Sequence, residues 1–399
     1  MPASPLQPIN LDNAAASPLW PEARQAMLEA LSLGNPSSTH AAGRSAKQAL
    51  ERARGQIADL IAAKPAAVHF TSCATESNAW AIRGLLGANK RLSGANKPST
   101  PHVIISAIEH PSVLSAARRL ELDGAISTTT LSVDAEGFVS SGDLEKALTG
   151  QTVLVSVMAA NGEIGTVQRI RELAGVARSH QALFHTDAVA AAGYWPIDVK
   201  AWGVDALTLS LNACHGPMGA AALYVREGLR ILPLLEGGGQ ERGGRSGTEP
   251  LAAAVGLGVA AEQAQKRLSQ GIAPLAALRD RLVRALRQGI EKIRINGNTQ
   301  ERLPQNAHVC IEGVSSESLV LGLDQAGVLA GLGSACNAKA MRPSHVLKAI
   351  GLSDEEAAGA LVLSLNWMTT ESDVDQAAAI IAKVVEPLRR VSALTARIR

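Results

Sequence analysis

The sequence is poor in aromatic residues and in cysteines, and it contains no long apolar run. Only 3% of its 399 residues are aromatic, and no stretch approaches the roughly 18 consecutive apolar residues that indicate a membrane-spanning helix. The cysteines, at positions 73, 214, 310 and 336, lack the short paired spacing of zinc fingers and small disulfide-linked domains. We therefore expect no membrane span, no disulfide framework and reduced thiols.

Positive and negative charges nearly cancel in this chain. Its 38 Lys and Arg residues and 36 Asp and Glu residues give a formal net charge of +2, with one locally basic segment over residues 389–399. This is not the charge pattern of a nucleic-acid-binding protein. Residues 1–10 have neither the basic nor the apolar part of a secretory signal. We expect a cytoplasmic protein that binds neither nucleic acid nor a membrane.

Short apolar runs, rich in β-branched residues, alternate with helical patterns. The predicted strands cover residues 68–70, 103–105, 153–157, 183–185 and 207–209. This alternation is typical of an α/β protein with a mainly parallel sheet. Just before the first strand, one helical face is predicted to cover the sheet, with Arg54 on another face. That apolar face consists of Leu50, Ala53, Ile57, Leu60 and Ile61.

The length of the chain favours two domains rather than one core. After about residue 255, long charged helical patterns replace the regular alternation of strands and helices. We predict a large α/β domain over residues 14–255. A smaller α+β domain is predicted to combine residues 1–13 with residues 256–399.

A run of small polar residues, from Thr71 to Asn78, follows the first predicted strand and opens a helix. Backbone N–H groups at the start of a helix suit a phosphate group, because the helix dipole is positive there. An ordinary helix cap would have the same composition. The segment is therefore a candidate phosphate site that needs support from elsewhere in the chain.

Asp187 comes directly after the predicted strand at residues 183–185. Ligands of parallel α/β sheets bind at the carboxyl ends of the strands. A carboxylate there can pair with a protonated pyridine nitrogen and keep the ring an electron sink, although a helix cap is an alternative role.

Cys336 lies in a glycine-rich segment, and Lys339 and Arg342 follow it closely. Mobility and positive charge favour an accessible thiolate, which is the nucleophilic form of cysteine. A buried, inert thiol is the alternative, because free cysteines are commonly packed in protein cores. The glycines around Cys336 favour exposure.

These segments, in this order, resemble the cysteine desulfurases, a branch of the aspartate-aminotransferase-like pyridoxal-phosphate enzymes of fold type I. The matching stretches run along nearly the whole chain: 11–15, 34–40, 70–78, 109–110, 161–166, 185–188, 237–241, 245–248, 333–336 and 343–347. The resemblance implies a large, mainly parallel sheet domain, a smaller α+β domain and a homodimer with shared sites. It also implies pyridoxal phosphate as cofactor and a sulfur acceptor or iron–sulfur scaffold protein as partner.

The same resemblance implies a role for individual residues. Thr75 and Ser210 would contact the cofactor phosphate, and Thr248 would reach the phosphate in the neighbouring subunit. His110 would stack on the pyridine ring, and Asp187 would pair with its nitrogen. Two further residues belong to the implied site: Asn161, as a cofactor contact, and Cys336, as the residue that receives sulfur as a persulfide.

The chain departs from the family at several positions of the implied pocket. Ala213 stands where the family has the lysine that anchors the cofactor and moves protons, and no lysine occurs between Lys200 and Lys266. Val362 stands where an arginine holds the substrate carboxylate, a bidentate contact that an isopropyl group cannot make. The other changes are Asn212 for histidine, Ala190 for glutamine, Gly162 for asparagine and Cys73 for glycine.

Two explanations account for Ala213: a deliberate substitution in a pyridoxal-phosphate-dependent cysteine desulfurase, or natural loss of the cofactor chemistry. The additional changes at Asn212, Ala190 and Val362 favour natural divergence. We therefore interpret the chain as a divergent desulfurase-like protein that no longer removes sulfur from cysteine in the normal way. It would retain the fold, the dimer and the Cys336 thiol for sulfur handling or partner binding.

Two other hypotheses remain open. Cys73 and Cys214 would line the vacated pocket, and together with Cys336 and a histidine they could hold zinc or an iron–sulfur cluster. In that position they could also simply fill space. Alternatively, the pocket binds pyridoxal phosphate without a covalent link, and His110 or His215 serves as the base.

Overall fold

The computed structural model describes residues 8–88, 100–332 and 344–398, with the backbone alone over 391–398. The strands are β1 (Ile9–Leu11), β2 (Val68–Thr71), β3 (His102–Ser106), β4 (Ser127–Leu131), β5 (Thr152–Ser156), β6 (Leu183–Asp187), β7 (Ala206–Leu209), β8 (Ala221–Val225), β9 (Ile293–Ile295), β10 (Asn306–Ile311), β11 (Val328–Ala330) and β12 (Ala360–Ser364).

The helices of the first two thirds of the chain are α1 (Pro21–Ala30), α2 (Ala41–Leu60), α3 (Ala74–Ala88), α4 (Pro111–Leu122), α5 (Ser141–Ala147), α6 (Ile170–Ser179), α7 (Val199–Trp202) and α8 (Leu251–Ser269). Those that follow are α9 (Ala273–Gly289), α10 (Ser316–Gln325), α11 (His345–Ala349), α12 (Asp354–Ala357) and α13 (Glu371–Ile398).

The largest of the described sheets has seven strands, in the order β2-β8-β7-β6-β5-β3-β4. The strands from β7 to β4 in this order run parallel, whereas β8 is antiparallel to both of its neighbours. All five strands predicted from the sequence are present, as β2, β3, β5, β6 and β7. The mainly parallel α/β fold is therefore confirmed, with β8 as a strand that sequence reasoning missed.

Apolar layers cover both faces of this sheet. Along β3, Ile104 belongs to one buried cluster, whereas Val103 and Ile105 belong to another, as alternation along a strand requires. Helices α1, α2 and α8 pack together over the first cluster, and α3 packs with α4 over the second. Because both faces are covered, the central strands contain continuous apolar runs.

Helix α2 confirms its predicted apolar face, but Arg54 is not on a solvent-exposed side. Its side chain is 3% exposed, and its guanidinium donates to Glu241 at 2.6 Å and to the Val68 carbonyl at 2.9 Å. The guanidinium also lies 4.8 Å over the ring of Phe70. Periodicity alone missed this burial because the partner, Glu241, lies far along the chain.

The C-terminal part forms a three-stranded sheet in the order β12-β10-β9 and a separate parallel pair of β1 with β11. The N-terminal segment is joined to the three-stranded sheet through the bridge between Asp12 and Ser364. The predicted domain boundary at residue 255 falls inside α8 and stays a prediction. Among the helices described, none is long and apolar enough to span a membrane.

Candidate cofactor site

Asp187 forms the floor of the candidate site at the carboxyl end of β6, where it is 5% exposed. Its Oδ2 accepts a hydrogen bond from Asn78 Nδ2 at 2.7 Å, and its Oδ1 accepts from the Val189 N–H at 3.0 Å. Burial raises the pKa of Asp187, although these hydrogen bonds and the nearby His110 act in the opposite direction. A cationic group above the carboxyl would stabilise its ionised form.

His110 lies close to this carboxyl, and its ring caps α4, while its stacking on a pyridine ring stays a prediction. His110 Nδ1 accepts from the Ser112 N–H at 3.1 Å and lies 2.7 Å from Ser112 Oγ. Asn78 Nδ2 donates to the same hydroxyl at 2.8 Å. The Asn78 side chain thus links Ser112, the partner of His110, to Asp187. Sequence reasoning quoted Asn78 only as part of a motif and missed this role.

Helix α3 begins directly after β2, and the exposed Thr75 lies in its first turn. The turn is braced by Glu76, which accepts from Ser72 N–H at 3.0 Å and pairs with Arg245 at 2.8 Å. A fixed helix N-terminus with an exposed hydroxyl suits a phosphate group. Thr248 is also exposed, as a residue that reaches a second subunit would have to be, but its predicted role stays a prediction.

Ala213, at the position of the family lysine, is held firmly by its backbone. Its carbonyl accepts from Ser17 Oγ at 2.7 Å and from the Tyr194 hydroxyl at 2.8 Å. Ser210, by contrast, uses its hydroxyl to donate to Asn212 Oδ1 at 2.7 Å. The lysines nearest in sequence give no replacement, because Lys200 lines a surface depression beside Glu262, and Lys266 pairs with Glu262 at 2.7 Å.

The Asn161 side chain is fully used within the protein. Its Oδ1 accepts from the N–H groups of Glu163 and Ile164 at 2.9 Å each, and its Nδ2 donates to the Ile108 carbonyl at 3.1 Å. Asn161 therefore shapes the turn that follows it. A cofactor contact through this residue, implied by the resemblance, remains a prediction.

Two of the small replacements lie next to each other. A Cβ added to Gly162 would lie 3.5 Å from the Cβ of Ala190. Gln305 Nε2 donates to the Ala190 carbonyl at 3.2 Å, while its buried Oε1 has no partner among the residues described. The two positions noted in the sequence are therefore neighbours in the structure.

The cysteines of the metal hypothesis are separated by burial. Cys73 is exposed beside α3, whereas Cys214 is fully buried. A Cβ added to Gly193 would lie 2.4 Å from Cys214 Sγ, so this sulfur faces the core and not an open pocket, contrary to expectation. Burial raises the pKa of the Cys214 thiol to about 12.

The third cysteine of that hypothesis, Cys336, lies outside the described residues. Within the described ranges no group of three or more His, Cys, Asp or Glu side chains is arranged to hold a metal ion. The zinc or iron–sulfur hypothesis therefore finds no support in this part of the chain. Cys310 is also buried, and burial raises the pKa of its thiol to about 11.

Comparison with known proteins agrees with this geometry. The profile of the family described as "Aminotransferase class-V" matches residues 9–377. A protein named cysteine desulfurase IscS from Methanosarcina thermophila is 42% identical over 389 residues, which are 97% of this chain and 94% of the relative. Cysteine desulfurase IscS 1 from Archaeoglobus fulgidus is 41% identical over 388 residues, covering 97% and 99% of the two chains.

A solved structure titled NifS-like protein superimposes with a TM-score of 0.87 at 30% identity, covering 96% of this chain and all of that one. The buried Asp187, its partner Asn78 and the α3 N-terminus fit pyridoxal phosphate, and the side chain of Ala213 has no amine. This chain therefore belongs to the class V aminotransferase family, in its branch of pyridoxal-phosphate-dependent cysteine desulfurases.

Proposed function

We propose that this chain is a divergent desulfurase-like protein that binds pyridoxal phosphate without a covalent link and does not remove sulfur from cysteine by the lysine-dependent route. Its Cys336 thiol serves sulfur handling or partner binding. The observation that carries the proposal is the contrast between an intact cofactor frame, formed by Asp187 and Asn78, and the methyl group of Ala213. A homodimer with Thr248 near the second site is part of the proposal.

Bound pyridoxal phosphate would supply an electron sink for a substrate amine. A proton must then move at the substrate carbon, and neither candidate base offers an accessible nitrogen lone pair. His110 Nδ1 accepts the cap hydrogen bond from the Ser112 N–H. His215 Nε2 has no partner among the described residues, but the ring is fully buried, with its Nδ1 2.7 Å from the Pro18 carbonyl and its ring 4.4 Å from that of Trp20.

The first experiment is absorption spectroscopy of the purified protein with pyridoxal phosphate and then L-cysteine, together with assays of alanine and sulfide. We expect cofactor binding that dialysis reverses, and no product formation above that of free pyridoxal phosphate. Steady cofactor-dependent production of alanine and sulfide by the unmodified chain would contradict the proposal. Absence of any cofactor binding would contradict the proposal that Asp187 and Asn78 still form a site for pyridoxal phosphate.

An Ala213→Lys variant tests the missing link directly. The added amine should retain the cofactor through dialysis and allow borohydride to fix it covalently, whereas the surface control Ala201→Lys should not. We expect Ala213→Lys alone to remain a poor desulfurase because Val362, Ala190 and Gly162 are unchanged. Full cysteine desulfurase activity in Ala213→Lys would instead support the alternative, a single substitution in an otherwise competent enzyme.

The role of Cys336 is tested by offering a small persulfide and measuring the protein mass. Attack of the Cys336 thiolate on the terminal sulfur would form a protein persulfide and release the donor as its thiol. Because the exposed Cys73 thiol could also react, the comparison is made in a Cys73→Ser background. We expect a gain of one sulfur atom in Cys73→Ser and no gain when Cys336→Ser is added to it. Equal labelling of the two proteins would contradict a sulfur-handling role for Cys336.

A further inference from the structure

Ser210 lies just beyond the carboxyl end of β7, next to the strand that carries Asp187. Strands β6 and β7 run parallel, and Thr208 is the register partner of Asp187. Ser210 follows two residues later and is 5% exposed. The resemblance assigns its hydroxyl to the cofactor phosphate. That role requires the hydroxyl proton, because ionised phosphate oxygens only accept hydrogen bonds.

The proton of the Ser210 hydroxyl is already used within the protein. Ser210 Oγ lies 2.7 Å from Asn212 Oδ1, and Asn212 Nδ2 donates to the Ala15 carbonyl at 3.0 Å. A carbonyl oxygen only accepts, so the contact with Ala15 determines which end of the Asn212 amide is the nitrogen. The amide oxygen therefore faces Ser210, and the hydroxyl must donate to it.

The backbone next to this amide is fixed as well. The Asn212 carbonyl accepts from the Ser17 N–H at 2.8 Å, and the carbonyl of Ala213 accepts from Ser17 Oγ at 2.7 Å. These bonds clamp the segment before α1 onto the loop after β7. Rotation of the Asn212 amide would bring its oxygen against the Ala15 carbonyl, where neither atom can donate. The orientation that takes up the Ser210 proton is therefore the favoured one.

The other side of the predicted phosphate site has donors to offer. Thr75 is exposed in the first turn of α3, where backbone N–H groups and the helix dipole favour an anion. Asn212, by contrast, is one of the positions at which this chain departs from the family, which has histidine there. The departure thus affects the β7 side of the site and leaves the α3 side unchanged.

We propose that Asn212 is a specificity-determining residue: it holds the Ser210 proton, so that Ser210 offers a cofactor phosphate no donor. This inference rests on the proposed function, because it takes pyridoxal phosphate and its amine form as ligands. A phosphate oxygen beside Ser210 would either face an oxygen lone pair or break the bond to Asn212, and in both cases the net gain is small. The phosphate group therefore contributes less to binding than it would with a free hydroxyl at this position.

The test compares pyridoxamine phosphate with pyridoxamine, which lacks only the phosphate group. Isothermal titration of the full chain gives a dissociation constant for each ligand. The constant of pyridoxamine divided by that of pyridoxamine phosphate, here called the phosphate ratio, measures what the phosphate adds. Damage elsewhere in the site weakens both ligands and cancels in this ratio. In Ser210→Ala the phosphate ratio should stay within about twofold of that of the unmodified chain, because the removed hydroxyl was not donating to the phosphate.

A second substitution releases the proton. Asn212→Ala removes the acceptor, so the phosphate ratio should rise about tenfold, which is the worth of a hydrogen bond to a charged group. Adding Ser210→Ala to Asn212→Ala should abolish that rise. Ser179→Ala is the matched control, because this exposed serine ends α6 and leads into the amino end of β6, away from the strand ends that carry the site. It should leave the ratio unchanged.

The outcomes separate this inference from the proposed function. An unchanged ratio in Ser210→Ala together with a Ser210-dependent rise in Asn212→Ala supports the inference. A phosphate ratio that falls about tenfold in Ser210→Ala alone overturns it while the proposed function stands, because Ser210 would then donate to the phosphate despite Asn212. An unchanged ratio in Asn212→Ala also overturns it alone. Failure of the unmodified chain to bind pyridoxamine phosphate overturns the proposed function and this inference with it.

Discussion

Replacing Glu163 by Gln should change how the stability of this protein depends on pH. Burial raises the pKa of Glu163 from 4.5 to about 7, so the folded state binds the carboxyl proton more tightly than the unfolded state does. The stabilisation from this group is complete below the unfolded pKa and is lost as the pH rises through the folded pKa. The relevant range is therefore between about pH 4.5 and pH 7.

The size of the change in unfolding free energy follows from the shift in the pKa of Glu163. At about 1.4 kcal/mol per pKa unit, the contribution lost between about pH 5 and about pH 8 is roughly 2.5 kcal/mol of unfolding free energy. Glu163→Gln lacks this titration, while its amide oxygen can still accept from Ser344 Oγ. Relative to the unmodified chain, the variant should gain about 2.5 kcal/mol of stability as the pH rises across that range.

Urea unfolding of both proteins at the two pH values measures this difference. Other buried acids, including Glu109, titrate in both proteins, and their contribution cancels in the comparison. Glu172→Gln, at an exposed position, is the matched control. If the unfolding free energy of Glu163→Gln depends on pH in the same way as that of the unmodified chain, then burial does not raise the pKa of Glu163, and the reasoning is refuted.

Three further predictions concern packing and burial. Glu241→Ala should cost roughly 3–5 kcal/mol in urea unfolding because it leaves the buried Arg54 guanidinium with only the half-exposed Glu51 as an acidic partner. Glu301→Ala, which removes an exposed pair with Arg169, should cost under about 1 kcal/mol in the same measurement. Gly193→Ala should lower stability by about 2 kcal/mol or more, since its φ is +80° and the added methyl group would meet Cys214 Sγ; unchanged unfolding would show that this packing is wrong. In a Cys336→Ser background, a thiol reagent should modify Cys73 rapidly and leave Cys214 and Cys310 unreacted until urea is added, and rapid reaction of a second thiol in the native protein would contradict their burial.

Sequence patterns predicted the framework of the large domain well. The strands β2, β3, β5, β6 and β7 consist of apolar and β-branched residues, because strands covered on both faces need continuous apolar runs. Asp187 was likewise predicted at the end of a strand, because it follows the apolar run at residues 183–185. Strand β8 (Ala221–Val225) escaped notice although its residues are all buried, since no adjacent helical pattern marked it as part of the alternation.

Side-chain partners far apart in the chain could not be predicted in this way. Arg54 was assigned to an outer face, yet it pairs with Glu241, 187 positions away. Asn78 was quoted without a role, yet it donates to Asp187, 109 positions away. Cys214 was expected to face the pocket, but its neighbour in space is Gly193 of the core. The periodicity of apolar residues predicts which face of a helix or strand is buried, but it does not predict which distant residue contacts that face.

The sequence by itself determined the fold class and the family, and it contains Ala213 and Val362 where the resemblance implies a lysine and an arginine. These depend on local patterns and on residue identity, both of which are readable along the chain. Only the tertiary structure decided that Gly162 adjoins Ala190, and that Glu163 Oε1 lies 3.7 Å from Nε2 of His308 on β10. Such contacts arise when segments that are distant in the chain pack together, so they exist only in the folded protein.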